Sequence, residues 1–345
     1  MYEEFYGFVQ SPFTLAPDPR FFYLSESHDE AIRQLLQSIR RKEGFIVLTG
    51  DIGTGKTTLC RALLEQLDMT TFTSLILNPF LSVEELLREI LLDFGVVSRE
   101  AVRSGRIASA SKHELASTLH DFLRSLVPIH GSGVLIIDEA QHLSPQVLEE
   151  IRVLSNLETE SKLLQIVMVG QLNLLDVLAA ADMRQLDQRI SLRAILKPLT
   201  RDEVNAYIGH RVSIARGSSS VSFDAAAVDS VHAVTAGVPR VINLVCDRSL
   251  MLGARAGVAV ITPGLIREAA DLLALKMPAA GASGWRRIPR WVVALLVILL
   301  LAALILLFAP IDRLVDAAVP APPEMPQMQR APVLPPLPVP ADLPL

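Results

Sequence analysis

The apolar run Phe45-Ile46-Val47-Leu48 feeds through Thr49 into Gly50-Asp51-Ile52-Gly53-Thr54-Gly55-Lys56-Thr57, and the helix-compatible Thr58-Leu59-Cys60-Arg61-Ala62-Leu63-Leu64 follows at once. Few local patterns constrain a fold more. A buried strand must deliver the chain to a turn whose glycines let backbone N–H groups face inward, and a helix must then start with its free N–H groups and positive dipole end on the same spot. The spacing is that of a phosphate-binding P-loop, in which Lys56 reaches the β- and γ-phosphates and the Thr57 hydroxyl ligates Mg²⁺. The expected ligand is ATP with Mg²⁺. It would be held by Gly50, Asp51, Ile52, Gly53, Thr54, Gly55, Lys56, Thr57 and Thr58.

A second element completes the chemistry. Gly133-Val134-Leu135-Ile136-Ile137-Asp138-Glu139 is a β-branched run ending in two acids, as expected of a central parallel strand whose carboxyl end faces the nucleotide. Alone, two such acids would be read as surface carboxylates. Beside a P-loop they form a Walker B motif, with Asp138 in the Mg²⁺ shell and Glu139 polarising the attacking water. Lys56 and Glu139 are thus the first catalytic candidates.

Bulk properties exclude little but order the alternatives. The 345 residues, half of them hydrophobic, allow two or three domains with ample cores. A net charge of −5 gives no general pull toward nucleic acid. Cys60 and Cys246 stand far apart, so they read as small buried hydrophobes in a reducing compartment, not as a disulfide framework. The first twenty residues hold Glu3, Glu4 and three prolines but no apolar stretch, so no signal peptide is expected and the nucleotide-binding part should stay cytosolic. His28 and His142 lack companions at ligand spacing and read as ordinary polar side chains.

Composition changes toward the end of the chain. Residues 291–309 are uncharged and apolar, and about nineteen residues at the helical rise cover roughly 28 Å, close to a bilayer core. They predict one transmembrane helix. Trp285 and Trp291 mark its near boundary, and Arg286, Arg287 and Arg290 place that side in the cytoplasm. Residues 310–345 carry half of the chain's prolines; this composition favours polyproline II, a spacer or a ligand on the far side of the membrane.

Between the motifs, strands and helices alternate. Residues 73–77 and 164–169 read as strands. Residues 82–91 read as a helix capped by Ser82 with Glu85, and further helices cover 112–127 and about 144–157. This alternation implies a parallel sheet with helices on both faces and right-handed crossovers. From Thr200 to about Lys276 the pattern becomes wholly helical: Thr200 with Glu203 caps one helix, a second runs from near Asp224 to Gly237, and others follow Pro239 and Thr262-Pro263. The expected fold class is α/β, an AAA+ P-loop NTPase with a small all-helical lid and then one membrane helix. The corresponding segments are 1–44 leading into the core, 45–198 binding nucleotide, 199–276 forming the lid, 277–290 as a basic linker, 291–309 in the membrane and 310–345 as a disordered tail.

The first 275 residues or so resemble the AAA+ ATPases of the general secretion pathway protein A group, also called ExeA-like, and their exosortase-associated relatives. The resemblance rests on Met1-Tyr2-Glu3-Glu4-Phe5-Tyr6-Gly7-Phe8, Pro12-Phe13-Thr14-Leu15, Pro17-Asp18-Pro19-Arg20-Phe21-Phe22-Tyr23-Leu24-Ser25, His28, Gly44-Phe45-Ile46-Val47-Leu48-Thr49-Gly50, Asp138-Glu139-Ala140-Gln141, Gly170-Gln171, Gln188-Arg189-Ile190 and Gly237-Val238-Pro239-Arg240. It implies further roles. Gln171 matches a polar sensor of the γ-phosphate, or else caps the helix near Asn173. Arg189 matches an arginine finger acting in a neighbouring subunit, with Arg184 and Arg193 as alternatives, which implies self-assembly. Arg240 matches a second sensor on a lid helix, or is a structural arginine. Because AAA+ chains enter their first strand near the adenine, residues 17–23 either line the base pocket or pack against the lid.

The resemblance also implies a membrane-anchored ATPase at the bacterial inner membrane, its ATPase part cytoplasmic and its tail periplasmic. It would act with envelope partners, such as a secretion-pathway B-type protein, on type II secretin assembly; an exosortase-linked pathway is the alternative. Many relatives add a periplasmic peptidoglycan-binding domain that this sequence lacks, which puts cell-wall binding in doubt. Two other classes stay in view: a DNA-associated transposition-type ATPase, disfavoured by charge and the membrane segment, and a low-turnover nucleotide switch.

Overall fold

A computed structural model describes residues 2–16, 18–100, 107, 110–155, 162–181, 183–217 and 221–275. The basic linker, the predicted membrane helix 291–309 and the proline-rich tail lie outside them, as do Pro17 and Lys276. Among the described residues no helix is long and apolar enough to cross a membrane.

Five strands, β1 (Phe45–Gly50), β2 (Thr71–Ile76), β3 (Ser132–Ile137), β4 (Leu164–Gly170) and β5 (Ile190–Leu196), form one sheet in the order β2-β3-β4-β1-β5. Every pairing is parallel. Successive side chains of a strand point to opposite faces, and here both faces are covered. Phe45, Val47, Leu135, Ile137, Ile166 and Met168 enter one core, while Ile46, Leu48, Val134, Ile136, Val167 and Val169 enter the other. That double covering is why β1, β3 and β4 are buried along their whole length and why their sequences run apolar instead of alternating.

The α-helices of the described residues are α1 (Tyr2–Tyr6), α2 (Glu26–Arg40), α3 (Lys56–Leu64), α4 (Val83–Asp93), α5 (Lys112–Ser125), α6 (Pro145–Leu154), α7 (Leu174–Ala179), α8 (Arg184–Asp187), α9 (Arg201–Ala215), α10 (Ala225–Thr235), α11 (Pro239–Ala256) and α12 (Pro263–Leu272). Helices α2 and α3 cover one face of the sheet through Ile32, Leu35, Leu59 and Leu63; α4, α5 and α6 cover the other through Leu87, Leu119 and Ile151. Capping boxes start α4 at Ser82 and Glu85, α5 at Ser111 and Glu114, and α9 at Thr200 and Glu203. Each N-cap side chain satisfies N–H groups that would otherwise lack partners and contributes about 1 kcal/mol. Cys60 and Cys246 are fully buried and unpaired, and burial pushes both thiols well above the usual range.

One feature departs from expectation and one extends it. The region after Thr200 is not wholly helical: β6 (Ser222–Phe223) pairs in parallel with β7 (Val260–Ile261). Two residues per strand are too few to leave a period in the sequence. The amino-terminal segment, which leads into β1 through α2 as expected, also joins the core of this helical region. Tyr2, Tyr6, Phe8, Phe13 and Phe21 pack with Tyr207, Val228, Ile242 and Cys246. Tyr6 also donates its hydroxyl hydrogen bond to the Val258 carbonyl at 3.0 Å.

The chain passes from β5 into the helical region at Leu199, whose N–H donates to the Gly237 carbonyl at 2.8 Å. Gly237 has φ +75°, and a Cβ there would sit 2.0 Å from the Leu199 carbonyl oxygen. Backbone on both sides leaves nothing soft to move. Gly237→Ala is therefore expected to lower stability by at least about 2 kcal/mol, combining a left-handed penalty with the clash. A urea midpoint indistinguishable from the parent's would contradict it.

Candidate functional site

The phosphate end of the site stands at the carboxyl edge of the sheet, where β1, β4 and β3 lie side by side. Gly53 and Gly55 take φ of +83° and +98°, a region that L side chains rarely adopt. Space imposes a second demand at Gly53, because a Cβ there would meet the Arg240 Cβ at 2.6 Å. Thr54 is fully buried and braces the turn by donating its hydroxyl to the Asp51 carbonyl at 2.8 Å. Lys56 is only 6% exposed and donates to the carbonyls of Gly50 at 2.9 Å and Asp51 at 3.0 Å. Burial holds its ammonium below the usual lysine range, although Glu139, Asp138 and Asp51 pull the other way. A desolvated cation at the start of a helix is a site that gains by taking an anion.

Thr57 and Asp138, from α3 and the end of β3, meet directly: the threonine hydroxyl donates to an Asp138 carboxylate oxygen at 2.5 Å. Asp138 is 3% exposed. One hydroxyl and one carboxylate are the donor set expected where Mg²⁺ takes its remaining ligands from phosphate and water. Among the described residues no cluster of three or more His, Cys, Asp or Glu offers a cage independent of phosphate. The residues present thus fit a nucleotide-borne Mg²⁺.

Glu139 adopts φ +51°, left-handed for a residue with a Cβ. Its N–H donates to Asp138 Oδ1 at 2.9 Å, and the residue lines the same cavity as the P-loop. Gln141 then steers the carboxylate: its Nε2 donates to Glu139 at 2.6 Å while its Oε1 accepts the Gln171 N–H at 3.1 Å. A Cβ on Gly170 would lie 2.5 Å from that Oε1, so glycine at the end of β4 makes room for the bridge. Gln171 Nε2 also faces the Glu139 carboxylate at 3.5 Å. Gln171 does not cap α7, since Asn173 occupies the N-cap position. Gln141 was quoted in the sequence only as part of a motif; its orienting function needed the position of β4.

Away from the phosphates the site widens into a cavity of about 460 Å³, bounded by the P-loop, Glu139, Arg61 of α3, the segment from Thr14 to Tyr23, and the helical region through Tyr207, Arg211, Arg240 and Asn243. Of this segment, Asp18, Pro19, Phe21, Phe22 and Tyr23 line the cavity, and Phe21 is also buried in the core of the helical region. Arg211, 6% exposed, fixes this strap by donating to the carbonyls of Pro12 at 2.6 Å and Thr14 at 3.0 Å, and its guanidinium lies 4.7 Å from the centre of the Phe21 ring. Its remaining bond goes to the Tyr207 hydroxyl at 2.9 Å, which donates in turn to Asn243 at 2.8 Å. Arg240 lies at the start of α11 against the P-loop, its N–H donating to the Gly53 carbonyl at 3.2 Å.

The finger candidates stand elsewhere. None of Arg184, Arg189 and Arg193 lines the cavity of its own chain. Arg189 donates to Ser155 at 2.8 Å, and Arg193 is paired with Asp187 at 2.7 Å. His28, read as an ordinary polar residue, is 3% exposed and lies directly behind the P-loop.

A parallel sheet in this order, with the P-loop after β1 and the acid pair after β3, defines an AAA+ P-loop protein. The AAA domain family (AAA_22) matches residues 39–178. Solved structures with the same fold include Cdc6p from Pyrobaculum aerophilum (TM-score 0.58, 18% identity, 77% of this chain and 71% of that one). The Aeropyrum pernix ORC2 protein is another (TM-score 0.57, 14% identity, 76% and 71%). The chain is related more specifically to general secretion pathway protein A. It is 40% identical over 271 residues to that protein of Aeromonas hydrophila, across 78% of this chain and 48% of the relative. It thus spans about half the length of that relative, and the resemblance read from the sequence is borne out.

Proposed function

We propose that this chain binds ATP with Mg²⁺ in the cavity described above and hydrolyses it, as a membrane-tethered AAA+ ATPase that drives assembly or regulation of an envelope machine. The observation that carries the chemistry is the convergence of Lys56, the Thr57–Asp138 pair and Glu139 on one edge of the sheet. Lys56 and the P-loop N–H groups neutralise and orient the phosphates. Thr57 and Asp138 would hold the metal, whose contribution is to spread developing phosphate charge. Glu139, aimed by Gln141, accepts a proton from the attacking water. Gln171 reports γ-phosphate to that carboxylate, and Arg240 ties helix α11 to the nucleotide state.

Type II secretion is the preferred setting, supported by the 40% identity to general secretion pathway protein A. Residues 291–309 would tether the chain to the inner membrane, with the tail on the periplasmic side available to a membrane partner. Arg189, exposed and outside its own cavity, is proposed to serve the site of an adjacent subunit.

The test is the ATPase rate of the 345-residue chain as a function of its concentration. A rate per subunit that rises with concentration, and falls by about 10³-fold in Arg189→Ala without weaker ATP binding, is expected of a finger acting in trans. A concentration-independent rate insensitive to Arg189 would remove the shared-site element. Absent turnover with tight binding would replace the ATPase by a nucleotide switch.

A further inference from the structure

His28 sits in the first turn of α2, and its ring nitrogens are both engaged. Nδ1 lies 2.6 Å from Ser25 Oγ and Nε2 lies 3.0 Å from the carbonyl oxygen of Thr54. A carbonyl can only accept, so Nε2 must carry the hydrogen. Nδ1 is then an acceptor, and the Ser25 hydroxyl donates to it. The same Ser25 oxygen accepts the His28 N–H as N-cap of α2 at 3.3 Å. The Thr54 carbonyl thus sets the tautomer of the neutral ring, and the helix cap accommodates it. Phe22 packs edge-on against the imidazole with ring centres 5.7 Å apart, and burial keeps the ring below the usual histidine range, hence neutral near pH 7.

The carbonyl that His28 holds belongs to the peptide joining Thr54 to Gly55. In a planar trans peptide the C=O and the following N–H point in opposite directions. Pinning the Thr54 oxygen outward therefore directs the Gly55 N–H toward the inside of the P-loop, where phosphate is to be bound. The approach is close, since a Cβ on Gly55 would lie 3.0 Å from His28 Nε2. The base of this support is itself fixed: the N–H of Glu26, first residue of α2, donates to a Glu203 oxygen at 2.9 Å, and the other Glu203 oxygen accepts the Thr200 N–H at 2.8 Å. One carboxylate thus joins the starts of α2 and α9.

We propose that His28 is a positioning residue of the phosphate site, holding the 54–55 peptide so that the Gly55 N–H faces the bound phosphate. This rests on the reading of the cavity as an ATP site. The side chain whose terminal amide best overlays imidazole Nε2 is glutamine, whereas asparagine stops short at the position of Nδ1. The two substitutions therefore separate the hydrogen bond to Thr54 from polarity and burial in general.

The experiment titrates the 345-residue chain with a fluorescent ATP analogue and competes it with ATP and with tripolyphosphate, which has no base or sugar. Parent, His28→Gln, His28→Asn, His28→Ala and Lys56→Met are compared, with a thermal melt of each. Loss of a hydrogen bond that preorganises an anion site is expected to weaken ATP and tripolyphosphate alike by about tenfold in the Asn and Ala variants, with Gln within about threefold of the parent. The Asn and Gln pair decides the matter even if the Ala variant does not fold. Equal affinities in the Asn and Gln variants would overturn the proposal, as would a loss confined to ATP that spares tripolyphosphate. Failure of the parent itself to bind ATP would instead sink the reading of the cavity, which is a separate outcome.

Discussion

Glu139→Gln is expected to leave ATP affinity within about twofold of the parent and to reduce turnover by about 10²- to 10⁴-fold, the usual contribution of a positioned general base. The substitution keeps the shape of the side chain and removes only its capacity to take a proton. Backbone placement should survive, because the left-handed turn at φ +51° is secured by the N–H bond to Asp138, which the amide does not disturb. Gln141 can still donate to the carbonyl of the new amide as it does to the carboxylate at 2.6 Å. The phosphate contacts proposed for the P-loop and Lys56 are not altered. ATP binding and single-turnover hydrolysis measured on the same preparation separate the two effects. Hydrolysis at the parental rate would show that another group accepts the proton, and a large loss of binding would show that Glu139 holds the metal or the loop instead.

The parts legible in the sequence were those whose physics is local. The P-loop needs its glycines within a few residues of one another, and Asp138 and Glu139 follow directly from the strand that delivers them. The capping boxes at Ser82 and Thr200 were readable because acceptor and donor are three residues apart. Residues whose function depends on distant chain stayed hidden. His28 is an unremarkable polar residue until the start of α2 is placed behind Thr54, 26 residues away. Arg211 binds carbonyls of Pro12 and Thr14 nearly two hundred residues earlier. Gln141 needs Gly170 on another strand. Aromatic residues near the amino terminus carry no period that would say which core they enter, and they enter that of the helices. Arg211 ties the amino-terminal strap to the helical region, His28 brings α2 against the P-loop and Arg240 brings α11 there, so the candidate site draws on every layer of the fold and not on its two motifs alone.

Lys56→Met should separate stability, nearly unchanged, from nucleotide binding, strongly weakened. With the ammonium 6% exposed, its burial works against the charged form, and the depressed pKa means that the folded chain holds this proton less tightly than the unfolded chain does. Such a lysine opposes folding wherever the unfolded chain would carry the charge: the penalty is full below the folded value and fades as pH rises from the folded value to the unfolded one. Methionine has a similar length, fills the same space and carries no charge. Its cost is the pair of hydrogen bonds to the Gly50 and Asp51 carbonyls, worth about 1 kcal/mol each in net terms. These two contributions oppose one another, so the nucleotide-free chain is expected to melt within a few degrees of the parent. Binding behaves differently: removing a buried cation that faces phosphate costs about 2–5 kcal/mol, a factor of roughly 30 to 4,000 in affinity. Saturating ATP at about 100 times its Kd stabilises a folded chain by about 2.7 kcal/mol, and that increment should fall below about 1 kcal/mol in Lys56→Met at the same ATP concentration. Melting curves with and without Mg²⁺ and ATP test both halves together. A variant that melts far below the parent would identify Lys56 as a structural anchor of the loop, and one that keeps the full ATP-dependent shift would show that the phosphates are held without it.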